Sequence, residues 1–171
     1  MTRSPRLAIA LSLTALVLIL PACKKAQDAA VDATIEHATG AKVEHNGNEV
    51  TVKTAQGDMH FATAENGASV ALPATFPKDV QLPAQYKIDS VMEVSGAQIV
   101  SLSTPDTMDT LFNSLSSGME GKGWKRELAT QTSDGGALSF SKDNHNVAYY
   151  IARNENGSTD LNINVSTSSE Q

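Results

Sequence analysis

Apolar and polar positions follow three different rhythms along this chain, and each rhythm predicts a different kind of element. Residues 7–20 form one apolar run broken only by Ser12 and Thr14. A helix crossing the hydrocarbon of a bilayer needs about 20 predominantly apolar residues, so this run is too short for a permanent span. Ala26, Ala29, Ala30, Val31, Ala33, Ile35 and Ala38 follow, with Gly40 as a stop. That spacing predicts a short helix, or a tether with helical tendency, that buries little because most of its apolar groups are alanines. From Ala41 the period falls to two. Val43, Val50 and Val52 alternate with polar residues around Asn46-Gly47, a strong hairpin signal, and after Gln56-Gly57-Asp58 a third short strand begins at Met59-His60-Phe61. Residues 41–63 are therefore expected to form a small β-meander.

Residues 64–84 contain Gly67, Pro73, Pro77 and Pro83. Proline fixes φ and cannot donate to a sheet ladder, so this stretch is expected to be a linker between subdomains, packed if at all by Phe76, Val80 and Leu82. The clearest pattern lies in residues 85–166. Strand-like runs at 88–94 and 97–102 flank Ser95-Gly96 and should pair as a hairpin. A helix follows, with Thr104 as N-cap, Pro105 at the first helical position and Asp106 in the first turn. Its apolar positions, Met108, Leu111, Phe112, Leu115 and Met119, draw one stripe that must pack on a sheet, and Gly121 and Gly123 end it. Trp124, Arg126 and Leu128 then share one face of a strand, followed by Leu138 with Phe140, by Val147, Tyr149 and Ile151, and by Leu161, Ile163 and Val165. The expected fold is α+β: a mainly antiparallel sheet in the order β-β-α-β-β-β-β, covered by one helix and preceded by the meander. Residues 167–171 should be a frayed tail.

Arg3 and Arg6 precede the first apolar run without an acidic residue among them, which is the layout of a secretory signal peptide. At the end of that run stands Leu20-Pro21-Ala22-Cys23. This resembles the lipobox of bacterial lipoproteins. The resemblance implies cleavage between Ala22 and Cys23, removal of residues 1–22, and acylation of Cys23, leaving 23–40 as the lipidated tether. Two acyl chains already suffice for stable anchoring, and lipoproteins of this kind usually carry three. In the enterobacterial sorting pattern an aspartate right after the cysteine retains the protein at the inner membrane; Lys24 stands there instead, which implies the outer membrane, facing the periplasm. The rest of the chain is loosely similar to small envelope lipoproteins with a Gly-Trp after one helix, a likeness that implies no activity.

Cys23 is the only cysteine, so no internal disulfide can form and the fold must rest on packing. The chain carries 13 basic and 19 acidic residues, and loss of Arg3 and Arg6 makes the mature protein more acidic still. Such a surface repels nucleic acid and anionic headgroups, which argues against nucleic-acid binding. His37, His45, His60 and His145 show no zinc-ligand spacing on one element. Asp58 and His60 could share a strand face, with His45 near them across the meander, but solvated strand residues are the commoner role of such groups. No serine lies in a Gly-x-Ser-x-Gly elbow, and Asp106, Asp109, Glu120 and Glu127 fall where capping and solvation account for them. Lys122, Trp124 and Arg126 combine an aromatic ring with cations and could contact an anionic glycan or protein, against the commoner role of a core tryptophan flanked by solvated charges.

These observations point to a non-enzymatic lipoprotein without catalytic residue, cofactor or metal: a binding or scaffold module with an envelope-protein or cell-wall partner. The alternative is an inhibitor or immunity protein that blocks a basic periplasmic hydrolase or toxin.

Overall fold

The computed structural model describes residues 41–167 other than 56, 66, 155 and 156. The expected signal peptide, lipobox and tether lie outside the described residues. The period-two stretches become nine strands: β1 Lys42–Asn46, β2 Glu49–Thr54, β3 Gly57–Thr63, β4 Lys87–Val94, β5 Ala97–Thr104, β6 Lys125–Gln131, β7 Gly135–Lys142, β8 His145–Arg153 and β9 Thr159–Thr167. Thr167, expected in the tail, closes β9. The two hairpin signals act as their chemistry requires. Gly47 takes φ 67° in the β1–β2 turn, and Ser95 and Gly96 take φ 48° and 84° between β4 and β5, the sense of twist that matches paired strands.

The single helix among the described residues, α1, spans Met108–Gly121 between β5 and β6. Its N-cap is Thr107 and not the expected Thr104: the Thr107 hydroxyl accepts from the Thr110 amide at 3.3 Å. Thr104 stays in β5, buried, and its hydroxyl donates to the Gln85 carbonyl at 2.7 Å. Pairing of β5 with β9 up to Thr104–Thr159 keeps Thr104 in the sheet, so the cap falls to Thr107. At the other end Gly123 adopts φ 82°, which lets the Trp124 amide reach back to the Met119 carbonyl at 3.1 Å.

All strands join one open antiparallel sheet in the order β1-β2-β3-β4-β5-β9-β8-β7-β6, so the protein is mixed α+β and mainly β. The meander is not a separate subdomain, because β3 pairs with β4 from Met59–Val94 to Thr63–Ser90. Nor are residues 64–84 a linker. They run as a strap on the same side of the sheet as α1, and Phe76 and Val80 are buried in the one core cluster with Val70, Leu72 and Leu82 packed on it. Prolines keep this strap extended, but its apolar side chains bind it to the sheet.

Two covers therefore share one face. Helix α1 lies over β6, β7 and β8 with Met108, Leu111, Leu115 and Met119 inward. The strap adds its apolar residues to the same cluster, which holds Ile88, Val91, Val100 and Leu102 from β4 and β5 and Leu138, Phe140, Val147, Tyr149, Ile151, Leu161 and Ile163 from β7 to β9. Strand β6 corrects one expectation. Arg126 pairs with buried Phe140, but a bulge follows and Leu128 pairs with Ser139, so Leu128 turns to the opposite face and is 50% exposed. Trp124, Arg126 and Leu128 do not share a face.

The opposite face changes character from one end to the other. Register carries Val43, Val52, Met59 and Val94 into one row and Val50, Phe61, Met92 and Ile99 into the next, all half-buried and none in the core cluster. From Ser101 onward the rows become mostly polar or small, with Asn162, Asn164, Ala148 and Ser139, and only Tyr150 and Leu128 stand out as large exposed side chains. No helix among the described residues is long and apolar enough to cross a membrane.

Candidate functional site

The strap crosses the sheet near the ends of β3, β4 and β5, and its crossing leaves a trough on either side of Pro73. One arm, of about 300 Å³, is lined by Thr51, His60, Ala62, Val70, Leu72 and Val91. The other, of about 710 Å³, runs past Asp58, Thr75, Pro77, Gln98, His145 and Val165. His60, Pro73 and Glu93 border both. Pairing of β3 with β4 places His60 opposite Glu93, and pairing of β4 with β5 places Glu93 opposite Gln98, so three polar side chains stand in a row across three strands.

A closed set of hydrogen bonds fixes the floor. The Gln98 amide nitrogen donates to the Thr75 hydroxyl at 2.6 Å and to the Glu93 carboxylate at 2.8 Å, and the Thr75 hydroxyl donates to the same carboxylate oxygen at 3.0 Å. This triangle pins the strap to the sheet. Among the described residues the Gln98 amide oxygen is buried without a partner, while the residue as a whole is 6% exposed. A buried acceptor left unpaired costs free energy. His60 is held by its Nδ1 against the Thr51 hydroxyl at 3.0 Å. The arrangement supplies acceptors, two carboxylates and apolar walls. It is suited to holding a group that donates hydrogen bonds.

The residues singled out in the sequence do not converge here. Cys23 and Ala22 lie outside the described residues. Lys122 caps α1, its amide donating to the Met119 carbonyl at 3.1 Å. Trp124 is buried at 4% exposure, and Arg126 donates to the Ser116 hydroxyl at 2.9 Å and lies 3.4 Å from the Glu120 carboxylate. The Arg126 guanidinium is thus engaged with neighbours of this chain, whereas Lys122 is held through its backbone. Lys142 sits 5.8 Å over the indole and bonds Asp79 of the strap at 2.8 Å and the Lys122 carbonyl at 3.0 Å. The metal grouping weighed above is not assembled: Asp58 and His60 face the strap, but His45 is in the Val50–Phe61 row of the opposite face. No cluster of three metal-ligating side chains occurs among the described residues.

Lys142 holds the Asp79 carboxyl below its ordinary range, chiefly by their hydrogen bond. A depressed carboxyl contributes stability above its unfolded value, near 3.8, which is lost as pH falls through the folded value. Both side chains are about a third exposed or more, so the contribution is modest, about 1 kcal/mol or less. The expected result is that Asp79→Asn lowers the urea midpoint at pH 7 and that the difference shrinks as pH falls below about 3.8. Equal losses above and below that value would refute a role for the charge.

Thr75, Glu93 and Gln98 were missed because they are scattered over the chain with no motif spacing, and His60 was weighed only for a metal grouping. One signal was present: Gln98 shares the phase of Val100 and Leu102, a polar residue in an otherwise apolar row. Compared with known proteins, the chain matches no family model, no curated protein and no solved structure. The described residues form an open antiparallel sheet with one helix and a strapped trough.

Proposed function

We propose that this protein is a lipid-anchored lipoprotein of the bacterial envelope, held through Cys23, that acts as a non-enzymatic binding or scaffold module in the periplasm. The observation that carries the binding half is the trough under the strap, whose polar floor bonds mainly to itself and leaves one buried acceptor aimed at no partner. Its hydroxyl, amide and carboxylate are tied together, an arrangement that pins the strap and can position a ligand. The lipobox and the short apolar run before it support the anchor, and Lys24 supports the outer membrane.

A second reading, an inhibitor or immunity protein against a basic periplasmic hydrolase or toxin, is favoured by the carboxylates of Asp58 and Glu93 lining the trough and by the net charge of −6. One experiment serves both. A photo-crosslinking residue replaces exposed Asp58 in the full chain in its native envelope, and a control carries it at Tyr150 on the opposite face. An adduct at 58 and none at 150 supports binding at the trough, and one basic enzyme in that adduct supports the second reading. Equal adducts at both positions, or turnover of an envelope substrate by the purified chain, would sink the proposal.

A further inference from the structure

The trough under the strap has a sign of charge as well as a shape. Asp58 and Glu93 both line its larger arm, and among the described residues neither carboxylate has an ion-pair partner. Glu93 accepts from Gln98 and from Thr75 through one and the same oxygen, so its second oxygen is left by both. The lysines that share these rows are engaged with other acids. Lys53, opposite Asp58, bonds Glu44 at 2.8 Å, and Lys142, opposite His145, bonds Asp79 at 2.8 Å.

Gln98 supplies an independent observation. Only its amide nitrogen can donate to a carboxylate, so the bond to Glu93 fixes which end of the amide is which, and the oxygen is the end without a partner among the described residues. The side chain lines the trough and is almost wholly buried. That oxygen acts on a ligand without touching it. A buried carbonyl dipole with no donor and two carboxylates with no counter-ion give the trough one sign of potential, which a cleft with low-dielectric walls focuses.

We propose that the trough receives the cationic side chain of a lysine or arginine from a partner protein, with its charged head at Glu93 and Asp58. This rests on the reading of the trough as a binding site and adds the chemistry of its ligand. The register favours a long side chain. The two acids stand on β4 and β3, whereas Val165 of β9 lies two inter-strand steps from Glu93, about 10 Å away, and Pro73 and Pro77 line the same arm. A basic side chain lays its apolar stem along such a surface and keeps its charge at the polar end. There its N–H groups meet ionised oxygens, in hydrogen bonds about twice as strong as those between neutral groups.

The test uses the full chain in an uncharged detergent, with glutamine side-chain amides and valine methyl groups isotope-labelled. It is titrated with Ac-Gly-Lys-Gly-amide and with the same peptide acetylated on the lysine nitrogen. Saturable shifts of the Gln98 and Val165 signals, with a Kd about tenfold lower for the charged peptide, are the expected result. Glu93→Gln keeps an oxygen that can accept from Gln98 and Thr75 and removes the charge, so it should weaken binding of the charged peptide about tenfold while the Val80 signal of the strap stays in place. If Val80 moves, Asp58→Asn decides the matter, since this exposed residue makes none of the floor bonds and its loss should weaken binding several-fold. Equal affinities for the two peptides overturn the cationic ligand and leave the trough as a binding site. Shifts from neither peptide overturn it whatever a crosslinker at position 58 captures, and so does binding that survives both substitutions unchanged. Butane-1,4-diamine binding as tightly as the charged peptide would overturn the partner protein as the source of the cation.

Discussion

Replacing Tyr149 by alanine is expected to remove about 3–5 kcal/mol of folding stability, the usual range for deleting a buried aromatic side chain. Against a total of about 5–15 kcal/mol for an ordinary domain, that is a large part of the whole. Three elements meet at this one ring. Tyr149 sits fully buried in β8, and its ring stands edge-on to Phe140 of β7 at 6.0 Å and 81°. Its hydroxyl donates to the Gln81 carbonyl of the strap at 2.9 Å and lies 3.1 Å from the Met119 sulfur of α1. The same sulfur accepts from the Gln81 amide at 3.3 Å. Sheet, helix and strap are therefore joined at a single residue, and the alanine variant leaves a cavity beneath both covers. A melting temperature lower by on the order of 10 °C, with faster proteolysis of the strap, is the measurement. A shift of only a degree or two would mean that the covers hold independently of each other.

Tyr149→Phe separates the ring from the hydroxyl. It keeps the packing and strands the Gln81 carbonyl, at a cost of about 1–3 kcal/mol. Burial pushes the Tyr149 hydroxyl far above its ordinary value of 10.0. The sign follows: the unfolded chain ionises first, so the stability tied to the neutral hydroxyl is intact below pH 10 and declines as pH rises beyond it. The phenylalanine variant should lose stability less steeply above pH 10 than the natural protein does.

Tyr149 also shows how far the sequence could be read. Its phase with Val147 and Ile151 was visible as alternation, and so was the stripe of α1 that covers it. The hairpin turns at Gly47 and Ser95-Gly96 and the mixed α+β, mainly β class were legible for the same reason, since all depend on residues a few positions apart. The contact to Gln81 was not, because it joins positions 68 apart in sequence. The strap was misread because its prolines carry the signature of a linker, whereas Phe76 and Val80 decide where it lies. Strand β6 was misread because a bulge shifts phase without changing composition. The trough depends on β3 beside β4 and β5 beside β9, pairings that no local rhythm announces, and only the misplaced polarity of Gln98 hinted at it. The meander gave its alternation away, but not which of its faces would look toward the helix.

Cys23→Ser is expected to abolish both incorporation of fatty acid and processing after Ala22, since the resemblance to the lipobox assigns both steps to that thiol. The magnitudes make the outcome sharp. Each buried methylene contributes about 0.8 kcal/mol, so two long acyl chains contribute on the order of 20 kcal/mol. Opposing this, an acidic protein of net charge −6 meets anionic headgroups at a cost of about 1 kcal/mol for each charge close to the surface, and few charges come that close. On the proposed anchor, lipid decides where the natural protein resides, and charge cannot undo it. The serine precursor keeps residues 7–20 and can linger at the membrane through them, so fractionation of that variant alone is ambiguous. The decisive comparison adds the chain from residue 24 exported behind an unrelated cleavable leader. It should enter the aqueous phase of a detergent partition while the natural protein enters the detergent phase. Acyl label on the serine variant, or a natural protein whose mature N-terminus is an unmodified cysteine, would show that the bilayer is not reached through this residue. The trough and the apolar face would then belong to a protein free in its compartment.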